Sequence, residues 1–242
     1  NINPAIDALN YYATLTNARI YNASYGPSPA DGIPPLTVWP SGFNDPAEAV
    51  AAQNALAAGK IIVAATGNER EEHPVAGRNP NGLALYPFVQ PANANAGVYA
   101  DGGKNYDFSA LQNQAGSIIA VMAVDQNKAV ASFSNLCGVT ASWCVAAPGV
   151  NILSVVPTTV DPSGFKPDSG TSMAAPHVSG ALAVLSQAYP VYSSLDLPRG
   201  LFAPTDHLGP PGPDSPSRYG LARLHRASAA PATGPEGPRP AP

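Results

Sequence analysis

Ser172 follows Gly170-Thr171 and precedes Met173-Ala174-Ala175-Pro176-His177-Val178-Ser179-Gly180. Gly170 permits a tight turn, the two alanines leave room beside a hydroxyl, and Pro176 suits a first helical turn. The pattern predicts a serine at a helix N-terminus, where backbone N–H groups lack partners and the dipole favours negative charge. An oxygen attacking a carbonyl, and the oxyanion that forms, would both be stabilised there. The commonest role of a serine before a helix is simply to cap it. Asn68 is the second candidate, because it ends the apolar run Ile61-Ile62-Val63-Ala64-Ala65 with Thr66-Gly67 between. A carboxamide at a strand end can donate to a tetrahedral oxyanion, and losing such a donor typically raises the barrier by about 3–4 kcal/mol. On its own, an Asn after a Gly is also an ordinary turn residue.

The elements that must position these groups follow from apolar period and punctuation. Residues 4–17 read as a helix with Ile6, Leu9 and Ala13 on one face, capped by Asn3 with Pro4 at its first position. Residues 19–24 read as a short strand ended by Gly26 and Pro27, followed by a Pro/Gly loop over 27–43. Asn44 or Asp45 caps a second helix that Pro46 opens and Gly59 closes. The run 61–65 is apolar on both faces, as a buried parallel strand is. The Asn-, Gly- and Pro-rich stretch between Gly67 and Gly116 is too long for a plain connection and is read as surface loops with a short helix at 108–114. Further strands are expected at 118–124, 131–134 and 150–155. A helix from Thr171 to about residue 188 is apolar nearly all round, which predicts central burial. After Tyr189 no periodicity is visible, and residues 231–242 form a Pro-rich tail expected to be disordered. Alternating strands and helices indicate an α/β fold with a mainly parallel sheet.

Composition bounds the partners. The chain has 242 residues, 12% of them charged, with 22 Gly, 28 Pro and a net charge of −4, so it carries no basic footprint for nucleic acid. No apolar run reaches the length of a membrane span. Cys137 and Cys144 lack the further Cys or His ligands of a zinc site; they form either a small disulfide staple, which implies an oxidising compartment, or two reduced bystanders.

The stretch from Gly170 to Gly180 resembles the nucleophile motif of subtilisin-like serine peptidases at every fixed position. Ala65-Thr66-Gly67-Asn68-Glu69 resembles that family's oxyanion segment, and Ser24-Tyr25-Gly26 its substrate-pairing strand. The runs 119–125, 131–135 and 146–152 follow in the family's order, and Leu208-Gly209 through Asp214 to Tyr219-Gly220-Leu221 resembles its closing segment. The resemblance covers residues 5–227. It implies a three-layer α/β domain over 1–230, with Ser172 as nucleophile and Asn68 as oxyanion donor. Ser24, Tyr25, Gly26 and Ala65, Thr66, Gly67 would be two walls of the pocket for the residue before the scissile bond. The substrate would be a polypeptide, and no organic cofactor is implied. The family often binds structural calcium, but no loop of spaced Asp and Asn ligands is visible here. The Cys137–Cys144 loop is similar to the secreted, autotransporter-type bacterial branch, which implies a secreted or cell-surface location.

Such a peptidase also needs a general base and a carboxylate that orients it. The histidines are His73, His177, His207 and His225, and none lies in the family's His-Gly-Thr context; no Asp lies in the matching turn. His177 stands five residues after Ser172, about 7.5 Å along and 140° around one helix, so the two cannot share a hydrogen bond. It reads as a packed helix residue, and His73 as a solvated one beside Glu71 and Glu72. The resemblance therefore implies a peptidase domain lacking its N-terminal third, inactive by itself. The alternative is a degenerate, non-catalytic homologue that at most binds peptides. A sedolisin-like peptidase would have Asp where Asn68 stands, and an α/β-hydrolase would have Gly where Ala174 stands.

Overall fold

The run Ile61–Ala65 does become the buried centre of a parallel sheet. The structure is a computed structural model and describes residues 4–31, 38–39, 45–88, 90–91, 98–101, 104–107, 111, 115–202 and 220–222. Its strands in chain order are β1 (Ile20–Ala23), β2 (Val38–Trp39), β3 (Ile61–Ala65), β4 (Gln90–Pro91), β5 (Val98–Asp101), β6 (Lys104–Asp107), β7 (Ile118–Val124), β8 (Cys144–Pro148), β9 (Ile152–Val155) and β10 (Phe165–Asp168). The main sheet has the order β1-β3-β7-β8 and is parallel throughout, with Ala23 opposite Ala64 and Ala65 opposite Val121. β2 pairs with β4, β5 with β6, and β9 with β10 in separate two-stranded units.

Period-two alternation explains the two-sided burial. Ile62, Ala64, Ala120, Met122 and Ala146 face one layer, where they meet Leu9, Ala49, Ala52 and Leu56 from α1 (Pro4–Thr14) and α2 (Pro46–Ala57). Ile61, Val63, Ile119, Val121, Val145 and Ala147 face the other, against Ala174, Ala175, Val178, Leu182 and Leu185 of α3 (Thr171–Ala188) and Leu197, Leu201 and Phe202 of α4 (Asp196–Phe202). This is the three-layer α/β architecture expected. Asp45 caps α2, its Oδ1 accepting from the Ala47 and Glu48 amides, and Gly59 ends it with φ +75°. Cys137 and Cys144 form a disulfide at the entry to β8.

Three expectations need correction. Residues 131–134 are not a strand: a single bridge joins Val130 to Val124, and the chain then turns, with Ser134 Oγ accepting the Ala123 amide. Helix α3 is not buried all round; Val184 is 46% exposed, as are its neighbours on the outer side, because only one face meets the sheet. Small side chains on that outer face made it read as apolar without its being covered. The segment after Tyr189 does contain a helix, α4, too short for a periodic signal yet anchored by its buried leucines and Phe202. Strand β9 is answered by β10, which the sequence did not suggest. The cap Asn3, most of the short helix at 108–114, the closing segment up to Tyr219 and the tail 231–242 lie outside the described residues.

The one-sided burial of α3 is testable by unfolding in urea. Leu182→Ala, which opens a cavity against the sheet, is expected to cost about 2–5 kcal/mol, whereas Val184→Ala is expected to stay within about 0.5 kcal/mol of the parent.

Candidate active site

Parallel strands of an α/β sheet deliver their carboxyl ends to one edge, the usual place for a site. β1 and β3 are neighbours in register, so the segments that leave them, residues 24–26 and 65–67, emerge side by side. The N-terminus of α3, packed beneath β1 and β3, arrives at the same edge.

Asn68 and Thr171 join these elements. Asn68 Oδ1 accepts from the Thr171 amide at 2.9 Å and from Thr171 Oγ1 at 3.0 Å. The Thr171 hydroxyl in turn accepts the Gly67 amide at 3.2 Å. With its acceptor oxygen engaged twice, the Asn68 carboxamide presents its donor, Nδ2, on the opposite side. A side chain built on Gly170 would begin 3.6 Å from Asn68 Nδ2 and 3.6 Å from the Ser172 backbone nitrogen. Both nitrogens therefore flank one small space beside Ser172. In the first turn of α3 the Met173 and Ala174 amides are taken by the Gly170 carbonyl and the Thr171 amide by Asn68; the Ser172 amide is left for whatever enters that space.

Ser172 Oγ donates to the Ser24 carbonyl at 3.1 Å, and Ser24 Oγ donates back to the Ser172 carbonyl at 2.8 Å. The second bond has a cause in the sequence. Pro176 lies inside the helix rather than in its first turn, and, lacking an N–H, it leaves the Ser172 carbonyl without its helical partner. The hydroxyl of Ser24 takes that place. The loop before α3 is tethered by the Gly170 amide to the Gly149 carbonyl at 2.8 Å, and the Gly149 amide to Val124 at 3.0 Å.

Behind the site is a buried polar network. Glu69 Oε2 accepts from Asn135 Nδ2 at 2.8 Å and Asn81 Nδ2 at 3.1 Å. Asn135 Oδ1 accepts the Glu69 amide, its own amide donates to the Gly67 carbonyl, and its Nδ2 also reaches the Thr66 carbonyl. Thr66 is fully buried and donates from Oγ1 to the Asn135 carbonyl. It stands behind the wall to which the sequence assigned it. Ala65 and Gly67 remain at the edge, as do Ser24, Tyr25 (38% exposed) and Gly26. Asn81 joins the two walls, since a side chain on Gly26 would meet its Oδ1 and one on Gly67 its Nδ2. Thr171, Asn81, Glu69 and Asn135 were not singled out from the sequence as functional. Thr171 lies within the nucleophile motif, whereas no local pattern links Asn135 to Gly67.

The two described histidines do not enter this arrangement. His177 is exposed, with Nδ1 at 2.9 Å from the Met173 carbonyl, so it is not packed internally as expected; it sits on the uncovered face of α3. His73 is half-buried in the loop after Glu69, its amide on the Glu69 carbonyl. His207 and His225 lie outside the described residues. Among the described residues no cluster of three His, Cys, Asp or Glu could hold a metal, and no helix is long and apolar enough to cross a membrane.

The model of the Subtilase family matches residues 3–220. The chain belongs to this family. Subtilisin DY of Bacillus licheniformis is 38% identical over 137 residues, which are 54% of this chain and 47% of that protein. The autotransporter lipoprotein NalP of Neisseria meningitidis serogroup B is 30% identical over 177 residues, 73% of this subtilase and 15% of NalP. The match therefore spans under half the length of either relative. Among solved structures, the prenylagaramide maturation protease PagA aligns with a TM-score of 0.62 at 20% identity, covering 93% of this chain and 67% of that one. The protease domain of PatA aligns with a TM-score of 0.58 at 18% identity, covering 93% and 64%. These likenesses bear on the fold, and they agree with the layers described above.

Two glycines separate strain from collision. Gly59 has φ +75° with open space around it, while Gly67 has φ +108° and three polar side-chain atoms within 2.5 Å of where a Cβ would stand. Gly59→Ala is expected to lose about 1–2 kcal/mol, the cost of a left-handed residue. Gly67→Ala is expected to lose clearly more in the same urea titration, because Asn81, Asn135 and Glu69 must also move.

Proposed function

We propose that this subtilase chain carries the nucleophile- and oxyanion-bearing part of a serine endopeptidase acting on polypeptides. The observation that supports it above others is the shared space flanked by Asn68 Nδ2 and the Ser172 amide. In this reading a substrate carbonyl oxygen enters that space and Ser172 Oγ attacks its carbon. The oxyanion is held by the two N–H donors. The peptide lies along residues 24–26 as an added strand, and residues 65 and 67 form the opposite wall. The scissile C–N bond then breaks, the amine leaves with the proton that a base took from Ser172, and water hydrolyses the acyl-enzyme left on Ser172.

The attack needs a base, and the Ser172 hydroxyl proton points instead to the Ser24 carbonyl. A histidine and its orienting aspartate would be supplied in addition to the described residues, and the chain by itself is inactive in this reading. The rival, a peptide-binding homologue without catalysis, draws on that same contact. Its relatives include extracellular proteases of Serratia marcescens and Bacillus subtilis and an autotransporter; a secreted or cell-surface bacterial location is proposed on that ground.

A fluorophosphonate probe tests the assignment. The chain alone is expected to show no Ser172-dependent labelling; strong labelling lost in Ser172→Ala would mean that it holds its own base. A hybrid carrying the Asp- and His-bearing segment of a related subtilisin is expected to cleave peptides, and Asn68→Ala in that hybrid to lower kcat about 10²–10³-fold. A well-folded hybrid with no activity would overturn the peptidase reading and favour the binding homologue.

A further inference from the structure

Glu48 is the one buried carboxylate among the described residues, and the site as described does not use it. It occupies the third position of α2, behind the cap Asp45 and Pro46, and is 92% buried by its relative exposure of 8%. A Glu at this position usually turns back to the N-cap amide. Here the Asp45 amide donates to Tyr86 Oη at 3.2 Å, and Tyr86 donates to Glu48 Oε2 at 2.7 Å. The other carboxylate oxygen, Oε1, is buried and has no hydrogen-bond partner. Glu48 takes part in no ion pair among the described residues. The Tyr25 hydroxyl interacts with this carboxylate, but Oε1 makes no hydrogen bond of normal geometry and meets no countercharge, which is costly for a buried oxygen and calls for an explanation.

Its position supplies one. Tyr25, the middle residue of the segment 24–26, lies against the Glu48 carboxylate, and burial beside that carboxylate pushes the Tyr25 hydroxyl pKa well up. Burial raises Glu48 as well. The Tyr25 hydroxyl is also 3.2 Å from that of Tyr21. Tyr25, 38% exposed, thus neighbours the Glu48 carboxylate within the segment along which the peptide would lie, while Ser24 beside it is bonded to Ser172.

We propose that Glu48, screened by Tyr25 and braced by Tyr86, is the anionic end of a subsite that accepts a lysine or arginine side chain from the peptide, N-terminal to the scissile bond. An ammonium or guanidinium entering beside Tyr25 gives Oε1 the charge-assisted partner that the fold withholds, and the tyrosine ring adds a face on which a cation can rest. Glu48 is a specificity residue here and takes no part in bond making. The inference rests on the peptide-binding reading of residues 24–26.

The test uses this chain as it is and measures binding, so it needs no turnover. Dye-labelled hexapeptides that differ only by lysine or norleucine at one position, moved through successive positions, are titrated by fluorescence anisotropy. At one position lysine is expected to bind at least about tenfold more tightly than norleucine, the order of one charge-assisted bond. Glu48→Gln, which keeps an acceptor for Tyr86, is expected to shrink that ratio below about twofold, lysine and norleucine peptides being titrated on the same variant. Tyr86→Phe, which removes the brace but not the charge, is expected to keep the lysine preference. A norleucine peptide that binds with no lysine preference at any position overturns the role of Glu48 and leaves the peptide groove standing. A ratio that survives Glu48→Gln overturns it too. Failure of every peptide to bind overturns the groove and this inference with it.

Discussion

The bonding of Asn68 Oδ1 to Thr171 is the contact on which the site depends. A carboxamide has one accepting and one donating end, and nothing in its shape decides which faces a cleft. Two donors from one residue, the Thr171 amide and hydroxyl, decide it here. The same threonine takes the Gly67 amide, so a fully buried side chain ties the end of β3 to the start of α3. Groups 103 positions apart in the chain are thereby held in register. Thr171 touches no substrate in the proposed reaction, yet both proposed oxyanion donors, Asn68 Nδ2 and the Ser172 amide, owe their placement to it. A helix that arrived one residue earlier or later would bring a different amide to that space.

The network behind this contact shows how a half-buried carboxylate is tolerated. Glu69 holds its Oε2 between two amide donors, Asn135 and Asn81, which also hold the backbone of Thr66 and Gly67. Removing a charge from water costs several kcal/mol unless such partners replace it. Glu69 meets that requirement from within the fold and so stiffens the turn before Asn68. Glu48 meets it at one oxygen and not the other. Of these two acidic residues, one is satisfied within the network that holds the site, and the other keeps an oxygen without a hydrogen bond.

Much of the fold was legible in the sequence, and the reasons are local. Ile61–Ala65 is apolar at every position, so a strand buried on both faces was the reading its length and composition favoured. Asp45-Pro46 and Gly59 are start and stop signals with a mechanism at each end. The Gly170–Gly180 motif drew attention to Ser172 and the segment 65–69 to Asn68, and the structure brings the two to one edge. What was not legible depends on distant partners. Residues 131–134 alternate like a strand, but the Ser134 hydroxyl takes the Ala123 amide and the chain turns. Helix α4 has only seven residues, too few for a period to emerge, and its burial is decided by the sheet face it meets. Thr66 sits in the motif beside Gly67 and was read as a wall; its side chain instead faces Asn135, a residue no spacing rule connects to it. Val184 shows the converse error, since apolar character on a helix does not say that a neighbour covers it.

The exchange of hydrogen bonds between Ser24 and Ser172 links the helix proline to the chemistry. A proline inside a helix costs about 3 kcal/mol, part of it the lost bond to the carbonyl four residues back. At Pro176 that carbonyl belongs to Ser172, and Ser24 Oγ satisfies it. The disruption thus becomes a link from α3 to the end of β1, which keeps the proposed nucleophile beside the proposed peptide-binding segment. The reverse bond, from Ser172 Oγ to the Ser24 carbonyl, occupies an acceptor on that segment. An added strand pairs through carbonyls of this kind. If the peptide's own N–H claims the Ser24 carbonyl, the Ser172 hydroxyl loses its resting partner at the moment a substrate is in place. It is then available to whichever base completes the site. On this argument the resting contact couples occupancy of the groove to release of the hydroxyl, using no residue beyond the two serines and the proline that makes their pairing necessary.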